Sequence, residues 1–163
     1  MKKLNLFPNP VMLLVIICIG LLPSFAKAQN CDMINARQLR EMIVQLGYTV
    51  KDLNSTDGSE MFEVKLNTNG FDVPISYSLT SNKNYIWLTV SLGTPRQDTS
   101  VINIAMLKEQ SVIQPCQFYV TAKGALMMGL AVENRGVTNA VLRRQTDKIA
   151  TEVAASSRLW VKK

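Results

Sequence analysis

The 163-residue chain carries a net charge of +6, from 18 Lys and Arg against 12 Asp and Glu, and contains no histidine. The missing imidazole removes Ser-His and Cys-His catalysis and the commonest metal ligand. The positive charges are scattered and form no dense Lys/Arg block, which argues against a nucleic-acid interface.

The chain opens with Lys2 and Lys3, continues with an apolar run from Val11 to Leu22, and then reads Pro23 and Ala26-Lys27-Ala28. A basic head, a short apolar middle and a small-x-small end predict a secretory signal peptide over residues 1–28, cleaved after Ala28. The run is shorter than the roughly 20 residues of a membrane-spanning helix, so no stable membrane insertion is expected after cleavage; an uncleaved anchor is the alternative. Lys2, Lys3 and Lys27 supply half of the net charge, so the domain expected over residues 29–163 is only mildly basic. Its length suits one compact unit. The expected location is the periplasm or the outside of a bacterium.

Two cysteines remain after such processing, Cys31 and Cys116. Export into an oxidising compartment makes a structural disulfide between them one reading, worth on the order of 4 kcal/mol by loop-closure entropy. Two separate thiols are the other reading. A catalytic cysteine would need a basic neighbour such as histidine.

In chain order, Asn35 with Gln38 forms the pattern of a capping box, and Leu39, Met42, Ile43 and Leu46 fall on one helical face that Gly47 ends. Tyr48, Val50 and Leu53 allow a short extended piece before the turn-forming stretch Asn54 to Ser59. Asp57, Glu60 and Glu63 lie close in sequence, but a loop with its following strand gives the same pattern as a cation site. Then Phe62, Val64 and Leu66 alternate with polar residues up to Asn69-Gly70, a tight hairpin turn.

That turn sets Leu66 against Val73, Val64 against Ile75 and Phe62 against Tyr77. A second turn, Ser81 to Asn84, sets Leu79 against Ile86, Tyr77 against Leu88, Ile75 against Val90 and Val73 against Leu92. Three antiparallel strands with one apolar face result.

A second helix is expected from about Ser100, with Ile102, Ala105, Met106, Glu109 and Val112 or Ile113 inward and Pro115 at its exit. Phe118 and Val120 precede Gly124, beyond which Leu126, Met128, Leu130 and Val132 alternate. A three-residue loop with Gly124 in the left-handed position pairs Val120 with Leu126 and Phe118 with Met128. A final helix runs from about Thr138, its cap, to Trp160, with Leu142, Ile149, Val153 and Trp160 on one face; Arg143, Arg144 and Lys148 lie away from that line, on a solvated face or, alternatively, a partner-binding patch. The fold class is therefore α+β: a twisted antiparallel sheet of about five strands with helices on one face, in the order α-β-β-β-α-β-β-α.

This order, with Leu46-Gly47-Tyr48 closing the first helix, Asn103 in the second and Gly136-Val137-Thr138 leading into the last, resembles the YbjN-domain family and the wider type III secretion chaperone-like fold. On the chaperone side the resemblance implies a small non-enzymatic protein that dimerises and holds extended segments of client proteins against an apolar surface; YbjN-type proteins share the shape but mostly have no assigned activity. The export signal departs from both groups, and the charge departs from the acidic character of the chaperones.

No motif for a cofactor or metal stands out, and none is expected. Opposite the apolar face of the three strands lie Met61, Glu63, Lys65, Pro74, Ser76, Ser78, Tyr85, Trp87 and Thr89, with Met61, Ser78 and Trp87 in line across the strands. A tryptophan and a methionine on a polar face suggest a contact surface, and Met61, Lys65, Ser78, Tyr85 and Trp87 are its candidate residues. Cover by the final helix or by the amino-terminal lead-in is the competing reading. The function expected is an exported, non-enzymatic protein-binding module, taking a protein partner or a second copy of itself. An accessory subunit of an envelope or secretion machine is the alternative, and an enzyme of unrecognised type a further one.

Overall fold

The computed structural model describes residues 32–94 and 99–161. The expected signal peptide and Cys31 lie outside these residues. The elements are α1 (Ala36–Gln45), β1 (Lys51–Asn54), β2 (Met61–Thr68), β3 (Phe71–Leu79), β4 (Tyr85–Gly93), α2 (Thr99–Gln110), β5 (Gln117–Val120), β6 (Leu126–Glu133), α3 (Asn139–Ala155) and α4 (Ser157–Trp160). They build one six-stranded antiparallel sheet in the order β1-β2-β3-β4-β6-β5. The short extended piece near Leu53 is thus a true edge strand, pairing Lys51 with Glu63 and Asp52 with Phe62. Arg40 on α1 holds this edge through two hydrogen bonds to the Asp52 carboxylate, at 2.8 and 3.1 Å.

Alternation decides which side of the sheet is buried. Val64, Val73, Ile75, Tyr77, Ile86, Leu88, Val90, Met128 and Leu130 all have 2% or less of their surface exposed. They meet Leu39 and Ile43 from α1 and Leu142, Ile149 and Val153 from α3. A one-residue slip in any strand would put this set into water, so burial enforces the register. The hairpin pairs Phe62 with Tyr77, Val64 with Ile75 and Leu66 with Val73, with Asn69 and Gly70 both at positive φ.

The β3–β4 ladder matches the expected register from Leu79–Ile86 to Ser76–Thr89 and stops there. The expected pairs Ile75–Val90 and Val73–Leu92 are not part of it. Thr68–Phe71 closes a two-residue hairpin, so odd residues of β3 bond to β2 and even residues face β4. The next even residue is Pro74, which has no N–H to give to Ser91. Between β5 and β6 the three-residue loop forms as expected, with Gly124 at φ 80° and Val120 opposite Leu126.

The helices follow their caps. Asn35 accepts from the Gln38 N–H while the Gln38 side chain accepts from Asn35, the reciprocal box that starts α1. Thr138 caps α3 through the Val141 N–H. The expected single final helix breaks at Ser156, whose buried hydroxyl bonds back to the carbonyl of Glu152 at 2.7 Å. The chain then turns, and the Trp160 indole N–H donates to the Val153 carbonyl while its ring meets Phe71.

Of the stripe expected on α2, Ala105, Met106 and Glu109 are half-buried, and Ile113 beyond the helix is buried. Val112 instead points outward, 72% exposed, as do Ile104 and Leu107. Apolar residues occupy both sides of this helix, so sequence periodicity gives it no unique inner face.

Candidate functional site

On the second face of the sheet the chain keeps aromatic surface that no helix among the described residues covers. Met61 pairs with Ser78, Ser78 with Trp87 and Trp87 with Ala131, a single row across four strands. The next row is Glu63, Ser76, Thr89, Gly129 and Gln117. A third row places Ser91 beside Met127 and Met127 beside Tyr119.

Gly129 decides how these rows fill. A Cβ at that position would lie 2.8 Å from Trp87 Cζ2 and 2.9 Å from Tyr119 Cε1, closer than carbon atoms approach. Both rings therefore lie over bare backbone, and they meet at 6.1 Å between centroids with 46° between planes. This contact geometry is favourable for aromatic pairs. Trp87 and Tyr119 are half-buried by each other and by the sheet, with Met127 alongside.

The expected surface residues fall into three places. Met61, 36% exposed, and Ser78 share the Trp87 row. Tyr85, 47% exposed, sits one row beyond, opposite Glu133. Lys65 lies opposite Pro74 on the same face but towards the β1 margin, away from the aromatic pair. The final helix does not cover Trp87, because α3 packs on the face that holds Tyr77 and Leu88. The lead-in is placed at the sheet margin, where Met33 pairs with Arg135.

Tyr119, Gly129 and Met127 were not legible as part of this surface. They reach Trp87 only because β4 pairs with β6 across the intervening α2, and no short turn joins those two strands.

Lys51, Glu63 and Lys65 gather charge at the β1–β2 margin of this face. Glu63 meets Lys51 at 4.0 Å, a loose pair. Among the described residues no group of three or more His, Cys, Asp or Glu could hold a metal, so Asp57, Glu60 and Glu63 do not converge. Among the described residues Cys116 has no disulfide partner; it is fully buried, and burial pushes its thiol pKa up to about 12. Cys31, the other half of the expected bridge, lies outside the described residues.

Two tyrosines sit under α3 in contrasting states. The Tyr77 hydroxyl is buried against Thr146 Oγ1 at 2.7 Å, and Thr146 in turn donates to the Leu142 carbonyl. The Tyr48 hydroxyl is buried and makes no hydrogen bond of full geometry; burial raises its pKa, and the Asp147 carboxylate adds to the rise through its charge and a marginal contact. The Arg143 guanidinium lies over the Tyr48 ring at 5.6 Å and donates to the Leu46 carbonyl. Arg143 is exposed, as expected, and from there also closes the end of α1 onto α3.

No protein-family model matches the chain, the YbjN family included, and no curated protein matches it. Among solved structures it is similar to the heterodimeric complex ExoU-SpcU from the type III secretion system of Pseudomonas aeruginosa. The identity is 15%, with 73% of this chain and 92% of that chain covered and a TM-score of 0.44.

Proposed function

We propose that this chain is a non-enzymatic binding module, exported from its cell, that takes a protein partner or a second copy of itself on the face of the sheet opposite its helices. The observation that carries this reading is the Trp87–Tyr119 pair laid over Gly129. The pair stabilises the sheet in its own right, but its rings stay only half-buried on the face opposite the core, and aromatics held rigidly in this way anchor protein interfaces. Ser76, Ser78 and Thr89 flank Trp87 on β3 and β4 with small hydroxyls, which lets a partner approach its ring closely. Export rests on the basic, apolar and small-x-small parts of residues 1–28.

The test is a photo-crosslinking amino acid placed at Ser78, beside Trp87, with Arg144 on exposed α3 as the control position. In cell-envelope extract the Ser78 probe is expected to give one discrete adduct that disappears in a Trp87→Ala background. Adducts of equal yield from both positions, or an adduct indifferent to Trp87, would remove this surface.

A further inference from the structure

A second site lies at the β1–β2 margin of the sheet, away from the aromatic pair although Glu63 and Lys65 project from the same face. The β1–β2 ladder ends at Lys51–Glu63. Two residues further the same register would set Thr49 against Lys65, yet no backbone hydrogen bond joins them. In β2 the residues that face β1 are the odd ones, Glu63 and Lys65 included, because the even ones bond to β3. The peptide groups of Lys65 therefore face an opening instead of a strand. The opening is a cleft of about 420 Å³ lined by Gly47, Tyr48, Thr49, Lys51, Glu63 and Lys65. That volume falls in the range of small-ligand sites.

The lining is not neutral. It offers two ammonium groups against one carboxylate. Glu63, its side chain 17% exposed, reaches Lys51 only at 4.0 Å. Lys65 has no ion-pair partner among the described residues.

We propose that this cleft binds the carboxylate of an amino-acid-sized or dipeptide-sized group. Lys51 and Lys65 supply the charge, and the Lys65 peptide N–H supplies a directed donor of the kind that captures chain-terminal carboxylates. Glu63 is then placed to accept an amide N–H from the same ligand, which favours a peptide acid over an inorganic anion. The group is either a free small acid or the carboxyl end of a polypeptide; both present the same chemistry.

The test is an amide-resolved NMR titration of the purified protein with N-acetyl-dialanine, its carboxamide and inorganic phosphate. Saturable shifts at Thr49 and Lys65 are expected with the acid and not with the carboxamide, with phosphate weaker than the acid. Lys65→Gln is expected to weaken the acid about tenfold or more, the loss typical of a charged hydrogen-bond partner, while Lys123→Gln on the distant β5–β6 loop leaves it unchanged. Equal shifts with acid and carboxamide would overturn the site. So would a Lys65→Gln variant that melts like the parent and titrates like it, which would leave the lysines as guards against strand pairing at the edge. A 20-residue peptide ending in the same two alanines separates the sources: binding as tight as the free acid admits a chain terminus, and binding by the free acid alone assigns a small molecule.

Discussion

Asn134 and Ile34, a hundred residues apart, hold each other through two hydrogen bonds: the Ile34 N–H donates to Asn134 Oδ1 at 3.2 Å, and Asn134 Nδ2 donates to the Ile34 carbonyl at 2.9 Å. The same amide donates to the Lys83 carbonyl at 2.7 Å, and Asn134 has no exposed surface. One side chain thus ties the lead-in, the β3–β4 turn and the end of β6. Asn134→Ala strands three main-chain groups, so a loss of about 2–4 kcal/mol is expected. Urea unfolding measures it, and limited proteolysis should show earlier cutting near Asp32.

Tyr48 and Tyr77 should respond oppositely to loss of a hydroxyl. Tyr77→Phe removes a satisfied buried bond to Thr146 and is expected to cost about 1–2 kcal/mol. Tyr48→Phe removes an oxygen that makes no hydrogen bond of full geometry, and is expected to leave stability unchanged or raise it by up to about 1 kcal/mol. Paired thermal melts at one pH decide this.

The buried thiol sets an alkaline limit. Cys116 has its pKa raised from 9.0 to about 12 by burial, and burial likewise raises Tyr77. Below pH 9 the folded and unfolded chains both keep the thiol proton. Above it the unfolded chain loses the proton first, so stability falls as pH rises toward 12. Cys116→Ala should flatten the early part of that fall, and the native thiol at pH 8 should react with aromatic disulfide reagents only as fast as the protein unfolds. Rapid stoichiometric labelling of the folded protein would contradict the burial.

Local pattern explains how much of this fold was legible. Asn35 with Gln38, Asn69-Gly70 and Gly124 each fix a boundary by their own backbone chemistry, and alternation in β2 and β3 then sets the register. What was illegible depends on non-local partners. Pro74 stops a ladder only because of which neighbour its absent N–H faces. Ser156 breaks the last helix through a back-bond that periodicity does not encode. The face containing Trp87 was found from the two hairpins, but Tyr119 and Gly129 reach it through β4–β6 pairing across a helix, which no turn announces. On α2, apolar residues on every side left Ile104 and Leu107 without a readable orientation.

Gly129→Ala probes the seat of the aromatic pair. The added methyl would meet Trp87 and Tyr119 at 2.8 and 2.9 Å, so the rings must lift into solvent. A red shift of the Trp87 emission is expected, read against a Trp160→Phe background, with a stability loss of about 1–3 kcal/mol. An unchanged spectrum would mean that the rings do not rest on this glycine.

The most direct test is the dissociation constant, for the crosslinked partner or for self-association, of the parent protein against Trp87→Ala, with Leu107→Glu on the exposed side of α2 as the comparison. With both variants folded, Trp87→Ala is expected to weaken binding by about 2 kcal/mol or more, roughly thirtyfold, and Leu107→Glu to leave it unchanged. A constant unmoved by Trp87→Ala but abolished by Leu107→Glu would place recognition on α2 and contradict a binding role for the open face of the sheet.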